Sequence, residues 1–184
     1  MNDKNLDDKF RKALLLYHTG QLKQAEEIYR EILVSEPSND KALYGLGLVA
    51  FQNGLLTQAS QLIEKAVSIN PSNSEYQAAL GNALYSIANY PKSVIHYKKA
   101  LKKDPKNSTI LNNLGHTYQA NLDIKNAILC YKNAISNDKN NLEYRGNLAL
   151  CLQKSGAFKL AEKEYKRILK NNPNSVEIEH NRGT

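Results

Sequence analysis

Asparagine recurs at a fixed spacing in the C-terminal half of this 184-residue chain: Asn113, Asn147 and Asn181 are 34 residues apart. A primary amide carries both hydrogen-bond donors and an acceptor, so it can pair with both polar groups of a peptide unit. A column of such side chains would bind an extended polypeptide without reading its sequence. The competing interpretation is that these are ordinary exposed polar residues of an asparagine-rich chain.

Side chains that commonly carry catalysis or bind metal ions are scattered. No histidine has a histidine or cysteine partner at ligand spacing, and Cys130 and Cys151 are predicted to be small core residues. The sequence contains no glycine-rich phosphate loop and no convincing Ser/His/Asp set. It therefore predicts a protein that is not an enzyme, with no catalytic residue, no metal ion and no cofactor. The unpaired cysteines favour a cytoplasmic location.

Composition restricts the partners further. The net charge is +7 and 41% of the residues are hydrophobic, but no apolar run approaches the roughly 18 residues that a membrane span needs. The polar N-terminus does not resemble a signal peptide. The lysines between Lys98 and Lys106 are predicted to form a solvated face, since no aromatic platform accompanies them. We therefore expect no membrane partner and no nucleic acid partner.

The 34-residue spacing extends over the whole chain. One small-residue position recurs as Ala13, Gly47, Gly81, Gly115, Ala149 and Gly183. Five repeats follow, which are 6–39, 40–73, 74–107, 108–141 and 142–175, and residues 176–184 form a partial sixth repeat or a frayed end. A fixed period of this length is typical of stacked repeats, which form one continuous array. The sequence thus predicts a single domain over residues 1–184.

Each repeat contains two amphipathic patterns with helical periodicity. In repeat 4 the first is Leu111, Leu114 and Tyr118, and the second includes Ala127 and Tyr131. Glycine occupies the break between them in repeats 1, 2 and 5, where it suits a tight helix–helix turn.

Proline ends the second helix in four repeats, and Asp40, Ser74 and Ser108 are then predicted to cap the next first helix. Gln77 is predicted to complete a capping box with Ser74. In the second helices, small residues alternate with large ones, a pattern that favours close packing between layers. The large residues are Tyr29, Ile63, Tyr97, Tyr131 and Tyr165.

With this period and these Gly/Ala, Ala, Tyr and Pro positions, the chain resembles the tetratricopeptide repeat family over residues 6–175. The resemblance implies an all-α, right-handed superhelix of five helix-turn-helix repeats plus the start of a sixth. It also implies that the first helices line a concave groove, which binds a protein or peptide. The asparagine column is similar to that of the repeat domain of O-linked N-acetylglucosamine transferases.

Helix geometry places a set of residues opposite the packing stripe, and so predicts which ones line the groove. The polar members are Asn82, Asn112, Asn113, His116, Gln119, Asn147, Gln153 and Asn181. The aromatic members, which would contact apolar side chains of a ligand, are Phe10, Tyr17, Tyr44, Phe51 and Tyr85. The competing interpretation is that these rings pack inside the array.

The predicted function is a protein-interaction module that binds an extended peptide or partner protein. Two alternatives stay open: a substrate-recruiting N-terminal domain of a larger enzyme such as a glycosyltransferase, or a self-assembling scaffold. Residues 176–184 keep the register, with Asn181 and Gly183 in their expected places. We therefore expect the native protein to continue past Thr184, or a second copy to cover this end by end-to-end association.

Overall fold

The computed structural model describes residues 3–171, and these residues form ten α-helices and no strand. The ten helices are α1 Asp3–His18, α2 Leu22–Ser35, α3 Asp40–Gln52, α4 Leu56–Ile69, α5 Ser74–Ser86, α6 Tyr90–Lys103, α7 Ser108–Ala120, α8 Ile124–Asn137, α9 Leu142–Lys154 and α10 Phe158–Asn171. Each predicted repeat contributes two of them, which confirms the all-α helical repeat fold. The predicted partial sixth repeat, with Asn181, lies outside the described residues.

The chain divides into two compact units, and the division falls within α6. The first unit extends to His96 and the second begins at Tyr97. In the first, α1 to α4 each pack against the next helix along the chain, and in the second, α7 to α9 do the same. The odd-numbered helices of consecutive repeats also contact one another within each unit, as α1 does with α3, α3 with α5 and α7 with α9. The right-handed superhelix and the single domain stay predictions.

Helix capping differs from the prediction by one residue. The N-caps are Asn39, Asn73, Asn107 and Asn141, whose side-chain oxygens accept hydrogen bonds from backbone N–H groups of the first turn. Asp40, Ser74 and Ser108 are instead the first helical residues, so their prediction as caps was wrong. An asparagine held in the extended conformation just before the helix reaches the unpaired N–H groups better than a side chain already inside the first turn.

The predicted capping box is also wrong, because the Gln77 side chain has other partners. Its amide nitrogen donates to the Pro71 carbonyl (2.8 Å), and its oxygen lies 2.7 Å from His96 Nδ1. Gln77 is only 2% exposed. It therefore ties the loop before α5 to α6, within the first unit.

The turns inside the hairpins follow the predicted pattern. Gly20, Gly54 and Gly156 have φ angles of 77°, 77° and 80°, the left-handed region that glycine enters without strain. The equivalent places in repeats 3 and 4 are Ala88 and Leu122, with φ angles of 57° and 62°. These two side chains show that the hairpin geometry is imposed even where the residue disfavours it.

The core is built from the large and small residues that the sequence singled out. Tyr29, Tyr97, Tyr131, Tyr165 and Ile63 are each at most 2% exposed. Small residues allow this close packing, as at Gly115, where a Cβ atom would lie 2.6 Å from a ring carbon of Tyr131. Cys130 and Cys151 are buried, and burial raises the pKa of the Cys130 thiol to about 11, as expected for an unreactive core residue.

Candidate functional site

Several of the predicted groove residues lie in two sets, one in each unit, and each set also includes residues that were not predicted. The first set surrounds a cavity between α1, α3 and the start of α5, which we call the aromatic cavity. The second is a hydrogen-bonded group on α7, α8 and α9, which we call the amide cluster and which comprises Asn112, His116, Gln119, Tyr131 and Asn147.

The aromatic cavity has a volume of about 280 Å³. Its lining residues are Phe10, Leu14, Tyr29, Lys41, Tyr44, Gly45, Leu48, Asn73, Glu75 and Tyr76. Gly45 lets Tyr29 approach α3, since a Cβ at residue 45 would lie 2.3 Å from the Tyr29 ring. The cavity therefore has aromatic walls and an aliphatic rim formed by Leu14 and Leu48.

Polar groups stand at one side of the aromatic cavity. The Tyr44 hydroxyl donates to Glu75 Oε1 (3.0 Å), and the Tyr44 and Tyr76 ring centroids are 4.5 Å apart. Burial, together with the Glu75 carboxylate, raises the pKa of Tyr44, so the hydroxyl stays a donor at neutral pH. Lys41 Nζ lies 5.7 Å from the centroid of the Phe10 ring, within cation–π range.

The five predicted aromatic residues are only partly exposed. Phe10 and Tyr17 pack against the core cluster around Ala13 and Tyr29, and Tyr44 and Phe51 pack against the cluster around Leu43 and Ile63. Only Phe10 and Tyr44 also line the aromatic cavity. Tyr85 is 38% exposed, and its ring centroid lies 5.7 Å from that of Tyr90. Packing and surface exposure are thus combined in the same side chains.

The amide cluster is a continuous chain of hydrogen bonds. Asn147 Nδ2 donates to Asn112 Oδ1 (3.0 Å) and lies 3.2 Å from His116 Nε2. His116 Nδ1 is 3.1 Å from the Tyr131 hydroxyl, which donates to Gln119 Oε1 (3.2 Å). Because an amide nitrogen can only donate, His116 accepts at Nε2 and carries its proton on Nδ1.

Burial also fixes the charge state of the cluster. Desolvation lowers the pKa of His116, and the Glu143 carboxylate opposes this effect only in part. His116 is therefore neutral near pH 7 and can accept from Asn147. Protonation would place two donors opposite each other and would break this contact.

The remaining polar candidates occupy different environments. Asn112 is 4% exposed, so it offers little surface to a ligand. It holds Asn147 in place by accepting its hydrogen bond. Asn113 is half-buried on the same face as Asn147, and its backbone carbonyl accepts from Thr117 Oγ1 (2.9 Å). Gln153 accepts from the Tyr165 hydroxyl (2.9 Å), and Asn82 is exposed on α5.

The sequence argument missed several residues that shape these sites. Leu14, Leu48, Glu75 and Tyr76 line the aromatic cavity, and Tyr131 connects His116 to Gln119. Helical periodicity does place Leu14, Leu48 and Glu75 on the groove-facing stripes, but they were not among the predicted binding residues. Tyr76 and Tyr131 could not be found that way, because both are buried core residues.

Within residues 3–171 there is no group of three or more histidine, cysteine or acidic side chains placed to hold a metal ion. None of the described helices combines the length and the apolar character that crossing a membrane requires.

Comparison with known protein families gives three matches, and all three are models of the same kind of repeat. Two models described as tetratricopeptide repeat match residues 11–83 and 112–176, and one described as TPR repeat matches residues 81–121. Together they extend from residue 11 to residue 176. No curated protein sequence matches the chain.

Solved structures agree with these family matches. The chain superposes on YrrB, described as a TPR protein with an unusual peptide-binding site, with a TM-score of 0.86 at 16% identity, covering 100% of this chain and 94% of that one. A MamA fragment from Desulfovibrio magneticus RS-1 gives a TM-score of 0.86 at 15% identity, covering 93% of this chain and 97% of that one. PilF of Pseudomonas aeruginosa gives a TM-score of 0.81 at 19% identity, covering 96% of this chain and 80% of that one. At these identities the similarity establishes the fold.

Proposed function

We propose that this chain, which belongs to the tetratricopeptide repeat family, binds an extended segment of a partner protein on the faces of its first helices. The fold is a generic protein-interaction module. The observation that carries the proposal is the aromatic cavity, because it is concave, mostly apolar and supplied with a few directed polar groups. Those are the usual properties of a site that receives one anchoring side chain.

The size and walls of the aromatic cavity favour an apolar or aromatic anchor. About 280 Å³ is enough for one large side chain, and the aromatic and leucine walls would bury it. Glu75 and Lys41 stand at the border of the cavity, where they would contact the peptide backbone next to the anchor. Extended peptides that bind in this way contribute specificity through the anchor and affinity through their main chain.

The amide cluster supports main-chain recognition in the second unit. The Asn147 amide nitrogen donates to Asn112 and to His116, so its carbonyl oxygen is the group it would offer to a peptide N–H. A side chain held by two hydrogen bonds loses little conformational entropy when a ligand binds. Asn113 and Asn147 share one position of consecutive repeats, and we propose that both contact ligand backbone.

The test is selection of random peptides by the full chain, followed by affinity measurement on the selected peptides. We expect the selected peptides to share an apolar or aromatic residue. Leu14→Trp should fill the aromatic cavity without removing any packed ring, because Leu14 lines it and is 38% exposed. It should weaken binding of these peptides by about tenfold or more, which corresponds to ~1.4 kcal/mol.

Leu15→Trp is the matched control. Leu15 is adjacent on α1, is 64% exposed and does not line the cavity. Its substitution adds the same indole and should leave affinity unchanged. Equal binding by the wild type and Leu14→Trp would refute the cavity as the anchor site, and failure to enrich any peptide would refute the proposed function.

The two alternatives, recruitment of substrate to a larger enzyme and self-assembly, stay predictions from the sequence. So do the cytoplasmic location, the lack of catalytic activity and the similarity of the asparagine column to that of the glycosyltransferases.

A further inference from the structure

A basic cleft lies among α8, α9 and α10, and none of its lining residues belongs to the aromatic cavity or to the amide cluster. Its volume is about 510 Å³, and its lining residues are Lys132, Ile135, Ser136, Lys139, Arg145, Arg167 and Lys170. Among the residues that the structure describes, none that lines this cleft is acidic. The side chains come from two helical hairpins and the turn between them, so the concentration of positive charge is not visible along the sequence.

Two arginines that line the basic cleft are paired with one buried carboxylate, which itself does not belong to the lining. Glu164 is 8% exposed, and its two carboxylate oxygens are bound by Arg145 and Arg167, with Arg145 Nη1 at 3.2 Å. Arg145 Nη2 also donates to the Lys139 carbonyl (3.2 Å). One carboxylate thus binds two guanidinium groups, so one positive charge of the two arginines remains in excess.

Lysines line the basic cleft together with the two arginines. Lys132, Lys139 and Lys170 are exposed, so their ammonium groups reach solvent at the mouth of the cleft. The adjacent Asp138 does not line the cleft, and its carboxylate accepts from Asn141 Nδ2 (3.3 Å). Cations held this close together repel one another, and an anionic ligand would relieve that repulsion.

The basic surface continues along α10. A neighbouring cavity of about 420 Å³ shares Arg167 and Lys170 with the cleft and is also lined by Lys159, Lys163 and Lys166. Its one acidic residue, Glu162, is paired with Lys166 at 2.7 Å. The two cavities together are longer than a single small anion, so they fit an extended ligand that carries several negative charges.

The character of the lining decides between acidic ligands. Single-stranded nucleic acid is normally bound by cations combined with aromatic rings on which bases stack. Within the described part of the chain, the lining of neither cavity includes an aromatic residue. Carboxylates, in contrast, need only the forks of the arginines and the ammonium groups of the lysines.

We propose that the basic cleft binds an acidic, glutamate- or aspartate-rich segment of a partner protein. Carboxylates of this segment pair with the fixed guanidinium groups of Arg145 and Arg167 and with the surrounding lysines. This surface shares no residue with the aromatic cavity or with the amide cluster, so its ligand would be recognised independently of theirs.

The experiment uses the full chain and a fluorescent oligoglutamate peptide of about ten residues, about 33 Å long when extended. We expect saturable binding that weakens with ionic strength, and no binding of the matching oligoglutamine peptide. Lys139→Gln combined with Lys170→Gln should weaken oligoglutamate binding by about tenfold, from two lost ion pairs. Both lysines are exposed, so the fold should survive, as checked by circular dichroism.

The control removes the same charge elsewhere. Lys23→Gln combined with Lys65→Gln alters two exposed lysines of the first unit and should change affinity by about twofold at most. Equal weakening by both pairs would overturn the proposal, because it would show attraction to net charge alone. Stronger binding of a single-stranded oligonucleotide than of oligoglutamate would also overturn it. Leu14→Trp should leave oligoglutamate binding intact, which separates this proposal from the cavity.

Discussion

Replacing the capping residue Asn73 tests how the aromatic cavity is held together. Asn73 Oδ1 accepts from the backbone N–H groups of Glu75 (3.0 Å) and Tyr76 (3.2 Å). Asn73, Glu75 and Tyr76 all line the cavity, and Glu75 accepts from Tyr44. One side chain therefore supports both the first turn of α5 and the polar side of the cavity.

The expected cost of Asn73→Ala follows from these two contacts. Removing an N-cap side chain typically costs about 0.5–2 kcal/mol, and a cap that satisfies two N–H groups should lie near the middle or upper part of this range. We therefore expect unfolding to become easier by about 1–2 kcal/mol. Asn73→Ser keeps an acceptor oxygen at the same place and should recover most of that free energy.

Ser74→Ala is the second matched variant, because the sequence alone predicts Ser74 as the cap. The structure places Ser74 inside the helix as its first residue. The Ser74 hydroxyl is then not needed as a cap, and its loss should change stability by less than about 0.5 kcal/mol.

Urea unfolding followed by circular dichroism measures the global effect, and hydrogen exchange resolved along the chain measures the local one. In a repeat array the loss should be concentrated near the altered helix, since each repeat contacts only its neighbours. Faster exchange of the Glu75 and Tyr76 amides is expected in Asn73→Ala, and not in Ser74→Ala. If Ser74→Ala destabilised the protein as much as Asn73→Ala, the assignment of the cap would be wrong.

Two further predictions concern the amide cluster. Burial lowers the pKa of His116 in the folded protein, so as the pH falls the unfolded chain binds the proton before the folded one does. The contribution of this histidine to stability is therefore complete above about pH 6.5 and decreases as the pH falls below that value. His116→Gln should therefore reduce the difference between urea midpoints measured at about pH 7.5 and about pH 5.5, and an unchanged difference would contradict this reasoning. Asn113→Ala combined with Asn147→Ala should weaken the binding of selected peptides to the second unit by about 1–3 kcal/mol, as measured by fluorescence anisotropy. Unaltered affinity would exclude recognition of the peptide backbone by these two asparagines.

Much of the fold is determined by the sequence because the signals are local. Glycine at positions 20, 54 and 156 adopts the left-handed conformation that a tight turn requires, and proline cannot continue a helix interior. Such signals act within a few residues, and their repetition every 34 residues sets the register of all five repeats. The small and large core positions followed for the same reason.

Capping and hydrogen bonding were decided by the tertiary structure. Asn73 and Ser74 are both good capping residues, and only the backbone conformation shows that Asn73 precedes the helix. The repeat period places Asn147 in register with Asn113, yet the Asn147 amide nitrogen donates to Asn112 and lies against His116. A period identifies equivalent places, but the partner of a side chain depends on the shape of the adjacent helix.

The basic cleft shows the same limit most clearly. Arg145 and Arg167 are 22 positions apart in the sequence and meet on the one carboxylate of Glu164. Read alone, α9 carries two cations and one glutamate and α10 carries five cations and two glutamates, so composition and periodicity predict only a solvated lysine-rich surface. Packing of α8, α9 and α10 gathers these charges into one place, because long charged side chains from separate helices converge where the helices leave a gap between them.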